Sequence, residues 1–151
     1  MKFSTKTRYG IRAMLEIASD TTQSGVLQKD IAERQQISVK YLDQIIHALK
    51  SEGLIINVRG KKSGYILTRK ASEISMLDIH NAFEPGICVI DCLSALVPCP
   101  MKDVCRTIGF WSKLNNLIFD YFNSVTLQDL LNDAPSADKK ILSDLSSSNL
   151  G

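Results

Sequence analysis

The chain has 151 residues, of which 44% are apolar and 23% charged, with a net charge of +2; this is ordinary for one globular domain and argues against a mainly disordered or low-complexity protein. Its longest uninterrupted apolar run is Ile87 to Ile90, far short of the roughly 20 residues a membrane-spanning helix needs. Lys2, Lys6, Arg8 and Arg12 crowd the first segment and Glu16 interrupts the apolar stretch behind them, so no signal-peptide core is expected and a cytoplasmic protein without a membrane partner follows.

Residues 5–19 place Tyr9, Ile11, Met14, Leu15 and Ile17 at helical spacing, which predicts a first helix. After a polar break, residues 27–33 carry Leu27, Ile31 and Ala32 in a short second helix, and a link over 34–37 leads to Ser38. Ser38 is a good N-cap, because its hydroxyl can accept an orphan backbone N–H of a third helix. That helix runs to about Glu52 with Val39, Leu42, Ile45, Ile46 and Leu49 on its inner face, and Gly53 stands where helices commonly end. The runs 54–58 and 65–68 are β-prone and joined by a basic, glycine-bearing tip, which predicts a hairpin.

Helical spacing returns over 71–83 through Ile74, Met76, Leu77, Ile79 and Ala82, and Pro85-Gly86 ends it. Residues 87–105 hold Pro98 and Pro100 and predict a loop. A long helix over 107–123 bears a broad stripe of Ile108, Trp111, Leu114, Leu117, Ile118, Tyr121 and Phe122, followed by a short helix capped by Thr126. Such a stripe is usually core; here it lies far from the basic half of the chain, which leaves part of it to pack on a second chain. From 132 onward the chain is polar and is expected to fray.

Three short helices followed by a hairpin is the order of a winged helix-turn-helix. The fold class expected is therefore mainly α with a small β-hairpin wing. Charge agrees, since residues 1–80 hold 13 Lys or Arg against 8 Asp or Glu, while residues 81–151 hold 5 against 8. On the third helix the inward apolar face turns Lys40, Tyr41, Gln44 and His47 outward. Lys40 suits phosphate or guanine, Gln44 an adenine edge, and Ser38 a backbone phosphate. Arg59, Lys61 and Lys62 at the hairpin tip suit a minor groove or phosphates. A solvated helix face is the alternative for the helix taken alone.

All four cysteines, Cys88, Cys92, Cys99 and Cys105, fall in one 18-residue stretch. Buried small hydrophobes would scatter, and structural disulfides are unexpected in a reducing compartment. Clustering points to a metal site or a redox switch.

The string Thr5-Lys6, Arg8-Tyr9, Ala13-Met14-Leu15, Ser38, Tyr41-Leu42, Gln44, Leu49, Gly53-Leu54, Arg59-Gly60 and Gly64-Tyr65 resembles the small winged-helix transcription regulators that include IscR, NsrR, RirA and CymR. The likeness covers nearly the whole chain. It implies a homodimer gripping a palindromic double-stranded DNA operator, most often as a repressor, with the recognition helix and Arg59 making base and groove contacts. It divides the chain into a winged domain (1–83), a cysteine loop (84–106), a dimerisation helix with a following short helix (107–131) and a flexible tail (132–151).

In cluster-binding members three cysteines of that loop hold an iron-sulfur cluster, and Cys92, Cys99 and Cys105 occupy those places, which implies a 2Fe-2S or 4Fe-4S cofactor sensing iron-sulfur, redox or nitric oxide status. Three departures stand out. The first cysteine gap is one residue longer than the commonest pattern, Ile108 stands where IscR-like members have a histidine ligand, and Ser63 replaces the first of two glycines before the wing tyrosine. The fourth ligand is thus open between Cys88 and a residue of the partner chain. Cys88 also reads as a buried hydrophobe, and His80 as a packing or surface residue. Zinc fits less well because no C-x2-C pair is present, and a thiol-disulfide switch is the other alternative. A small thiol or iron-sulfur oxidoreductase and a DNA-independent adaptor are the rival classes; the first lacks a C-x2-C and a phosphate-binding glycine loop.

Overall fold

The computed structural model describes residues 2–59 and 64–133. Helix α1 (Thr5–Ala18) is capped by Ser4, whose side chain accepts from the Thr7 N–H. It lies across α2 (Gln28–Gln35) and α3 (Val39–Ser51). Strands β1 (Ile55–Asn57) and β2 (Tyr65–Leu67) pair antiparallel, Ile55 opposite Leu67 and Asn57 opposite Tyr65. A 3-10 turn (Ala71–Glu73) leads to α4 (Met76–Asn81), and a second 3-10 turn (Asp91–Leu93) lies within the cysteine loop. The long α5 (Ile108–Ser124) and short α6 (Leu127–Asp133) complete the described chain. Among the described residues no helix is long and apolar enough to cross a membrane.

Ala13, Met14, Ile31, Leu42, Ile45, Leu49, Leu54, Ile55, Ile74, Ile79 and Leu127 bring every layer into one core. Each fully buried Leu or Ile contributes about 1.5–3 kcal/mol. Gly10 lets the segment just after α4 approach α1, because a Cβ there would overlap the Phe83 ring.

Several boundaries differ from expectation. The second helix extends to Gln35, and the turn before Ser38 is correspondingly tighter, with Gln36 in the left-handed region at φ 55. Val39, expected on the inner face, is 57% exposed, because it precedes the turn that dips into the core. The helix expected over 71–83 is split. Ile74 and Ser75 are drawn into an extended bridge with residues 125–127, where the Met76 N–H donates to Val125 O (2.8 Å) and the Leu127 N–H to Ile74 O (2.8 Å); α4 then restarts on a Ser75/Asp78 capping box. Asn132 and Asp133, placed in the tail by sequence, belong to α6. The remaining tail and the wing residues 60–63 lie outside the described residues.

A backbone crossing fixes the base of the wing. Val26 and Tyr65 exchange N–H···O bonds of 3.0 and 2.9 Å. A Cβ on Gly64 would lie 2.5 Å from the carbonyl carbon of Gly25 and 2.8 Å from the Val26 nitrogen, atoms that cannot move aside as a flexible side chain can. Gly53, by contrast, has φ +73 and open space around it. Gly64→Ala is therefore expected to cost about 1–3 kcal/mol by overpacking and to loosen the wing, whereas Gly53→Ala costs about 1 kcal/mol of backbone strain. Chemical unfolding, with amide exchange at Val26 and Tyr65, separates them; protection there must fall in the first variant only.

Candidate nucleic-acid interface and cysteine loop

The third helix is set in place by its own cap and by four buried residues. The Ser38 hydroxyl accepts the Tyr41 N–H at 3.2 Å, which leaves its proton available to donate outward. Leu42, Ile45, Ile46 and Leu49 are buried, so helical periodicity turns Lys40, Gln44 and His47 to the opposite face, where all three are exposed. Tyr41 departs from the expected outward set. It is half-buried, its ring edge-on to Tyr9 at 5.8 Å, with the Arg12 guanidinium 5.0 Å from the Tyr9 ring centre. Tyr41 thus forms a wall of an open cleft of about 460 Å³ shared with Thr5, Tyr9, Gln36 and Ser38. A second cleft of about 440 Å³ flanks the same helix end on the Lys29 and Val39 side.

Polar bonds tie the wing to this helix. The Tyr65 hydroxyl donates to Gln28 Oε1 at 3.2 Å, and Gln28 Nε2 donates to Asp43 Oδ1 at 3.0 Å. Lys50 Nζ donates to Asn57 Oδ1 at 2.7 Å. Asp43, which would repel phosphate, is thereby engaged from the protein side. Arg59 is exposed at the end of the described first wing segment, while Lys61 lies outside the described residues.

Short turns shape the cysteine loop. Leu93 N–H donates to Ile90 O, Ser94 N–H to Asp91 O, and Val104 N–H to Met101 O. Asn115 of α5 anchors the start of the loop by accepting the Val89 N–H at 3.0 Å. Cys92, Cys99 and Cys105 are half-buried. Hydrogen bonding with Cys99 pushes the Cys92 thiol above its ordinary range, helped by the charges of Cys99 and Cys105. Cys105 is lowered, chiefly by the Thr107 hydroxyl at 3.4 Å. Cys92 thus lies within electrostatic reach of both other thiols.

Cys88 is placed differently. It is exposed, its thiol donates to Ile90 O at 2.9 Å, and it lines a separate cleft of about 180 Å³ with Phe3, Ser4, His80 and Glu84. The reading of Cys88 as a buried hydrophobe does not hold. Among the described residues no three His, Cys, Asp or Glu side chains surround one point closely enough for a single metal ion. A polynuclear core spreads its ligands over several irons, so its sulfurs need not share a point.

His80 is a packing residue, 4% exposed, and is held by hydrogen bonds at both ring nitrogens. Sequence reasoning missed Gln28, Asp43 and Asn115, each of which acts on a segment remote in the chain and carries no local pattern.

A family model described as Rrf2, iron-dependent transcriptional regulator, matches residues 3–133. Protein rrf2 of Nitratidesulfovibrio vulgaris is 38% identical over 134 residues, covering 89% of each chain. Among solved structures, T. potens IscR superimposes with TM-score 0.73 at 36% identity, covering 91% of this chain and 90% of that one. CymR, described as the global cysteine regulator of B. subtilis, gives 0.71 at 30% identity, with coverage of 86% and 95%.

In the metal-free, reduced chain Thr107→Val removes the hydroxyl that favours the Cys105 thiolate. The pH profile of Cys105 alkylation should therefore move to higher pH. Mass-spectrometric alkylation rates across pH read this; an unmoved profile refutes the role given to Thr107.

Proposed function

From a chain that belongs to the Rrf2 family of transcriptional regulators, we propose a cytoplasmic homodimer that represses from a palindromic operator and reads the state of an iron-sulfur cluster. As a member of that family the chain is a DNA-binding regulator and not an enzyme. The observation that carries the sensing reading is the grouping of Cys92, Cys99 and Cys105 in a loop between the winged domain and α5. The structural relatives include both IscR and a cysteine regulator, so the argument rests on this chain's own thiols.

Thiolate is the donor type an iron-sulfur core requires, and the three cysteines are of that type. Cys92, Cys99 and Cys105 would hold it, with the fourth position taken by Cys88, once its thiol leaves the Ile90 carbonyl, or by a residue of the partner chain. Bound there, the cluster supplies an oxidation- and nitric-oxide-sensitive centre. The protein contributes the turns that gather the thiols and the Asn115 anchor that joins the loop to α5. A loop change transmitted to the recognition helices needs about 1–3 kcal/mol of coupling to alter operator affinity 5- to 150-fold.

The outer face of α5 supports the dimer. Phe110, Leu114, Leu117 and Tyr121 recur at alternating spacings of four and three, and Phe110, Leu117 and Tyr121 are 63%, 67% and 68% exposed. An apolar seam of that period fits a second copy of the same helix, which two-fold symmetry makes self-complementary. Two recognition helices then meet half-sites about one DNA turn apart. Ser38, Lys40, Gln44 and Arg59 supply the contacts, Tyr41 through the cleft it walls beside Ser38, with Lys61 on phosphate. The adjoining Cys92 and Cys99 favour a second reading, a disulfide switch in the same scaffold.

Protein purified without oxygen should carry roughly two or four irons and matching acid-labile sulfide per chain. The Cys92, Cys99 and Cys105 triple alanine variant should lose both and remain dimeric. Zinc without sulfide, or full iron in the triple variant, overturns the assignment. Leu117→Asp should yield a folded monomer by sedimentation. Arg59→Ala should weaken operator binding, and Lys61→Ala should lower affinity across sequences and reduce the salt slope by about 0.9; fluorescence anisotropy over a salt series distinguishes them.

A further inference from the structure

His80 stands where five segments meet, and none of the roles above uses it. Its Nε2 lies 3.2 Å from the carbonyl oxygen of Gly86, where the cysteine loop begins. Its Nδ1 lies 3.4 Å from the hydroxyl of Thr7 on α1. The carbonyl can only accept, so in the neutral ring Nε2 carries the proton and Nδ1 accepts from Thr7. Thr7, itself 1% exposed, receives the Ser4 hydroxyl at 3.2 Å. The bonds thus run in one direction from the cap of α1, through Thr7 and His80, to the first turn of the loop. Gly86 has φ +117, a conformation a side chain would resist, and its carbonyl faces His80.

The ring is also clamped. Phe3 and Phe122 stack on each other at 5.0 Å, and each meets the imidazole edge-on at 5.7 Å. Aliphatic packing would fill the space equally well, yet here a polar ring is buried with both nitrogens engaged, which holds the neighbours at fixed positions. The segment it holds matters for α1's other face. Thr5 and Tyr9, one turn apart, line the cleft shared with Ser38 and Tyr41 at the head of α3, and Arg12 donates through Nε to Gln35 at the end of α2 at 2.8 Å. The first turns of α1 therefore reach the start of the cysteine loop through His80 on one side and meet the recognition helix through Tyr9 and Tyr41 on the other.

We propose that His80 is a positioning residue that latches the cysteine loop to α1, so that DNA bound at the recognition helix and the arrangement of the loop at Gly86 to Cys88 bias each other through the Ser4, Thr7, His80 and Gly86 bonds. The inference rests on the DNA-binding reading but needs no cluster. Coupling of this kind is reciprocal, so it is readable from the loop side.

The test uses the full metal-free, reduced chain and a duplex enriched from a random-sequence pool by the wild-type protein. The readout is the rate of N-ethylmaleimide addition at Cys88, two residues beyond Gly86, followed by peptide mass spectrometry. His80→Phe keeps an aromatic ring between Phe3 and Phe122 but removes both bonds. Thr7→Val removes the upstream hydroxyl, and His80→Gln keeps a donor for the Gly86 carbonyl. Without DNA, alkylation at Cys88 is expected to quicken at least threefold in His80→Phe and to return toward the wild-type rate in His80→Gln. With saturating duplex the wild-type rate should change at least threefold, whereas His80→Phe and Thr7→Val should show the same rate with and without duplex. Circular dichroism melting confirms that each variant compared is folded. Wild-type rates indifferent to duplex, or full duplex response in folded His80→Phe, overturn the latch while leaving DNA binding intact. Failure of the pool to yield any duplex overturns the DNA-binding reading and the latch with it.

Discussion

A short antiparallel exchange of backbone bonds, Met76 N–H to Val125 O and Leu127 N–H to Ile74 O, each 2.8 Å, organises the rest of the molecule. It pins the chain as it leaves the winged domain to the chain as it returns from α5. Residues 77–124 are thereby closed into one loop, whose entropy cost is met once at its base. Leu127, fully buried beside α1 and Ile74, reinforces the closure with apolar burial. Besides it, α5 is held to the domain by Phe122, which packs on Phe3 and His80. With it, α4 and α5 pack side by side and the loop is anchored at both ends.

That closure divides the surface of α5 between two tasks. Ile118 and Phe122 turn toward the body, where Phe122 stacks with Phe3 over His80. Phe110, Leu117 and Tyr121 remain exposed on the other side. A helix apolar on two faces is stable in water only when both are covered. Leu96, Met101 and Val104 of the adjoining loop are exposed as well.

The interface for DNA is rigid for a different reason. Lys40 and Gln44 project from a helix locked by four buried residues, while Gln28 joins Tyr65 of the wing to Asp43 of that helix. Helix and wing are therefore joined by side-chain bonds as well as by the chain. The Gly25 and Gly64 crossing removes the remaining freedom at the wing's base.

Local pattern determined much of this protein. The inward set Leu42, Ile45, Ile46 and Leu49, the Ser38 cap, the Gly53 stop, the hairpin and the length of α5 all follow from periodicity and turn chemistry, which act over a few residues and are written in the chain. The clustering of all four cysteines is a local signal of the same kind. Tertiary structure decided what depends on segments far apart. The break of the 71–83 helix comes from pairing with residues 125–127; the retreat of Tyr41 comes from the Tyr9 ring; the exposed Cys88 thiol is engaged by the Ile90 carbonyl beside the cleft at His80. His80 shows the distinction most clearly, because both of its hydrogen-bond partners lie in other elements, and a residue whose role is set by long-range closure carries no signature among its neighbours in sequence.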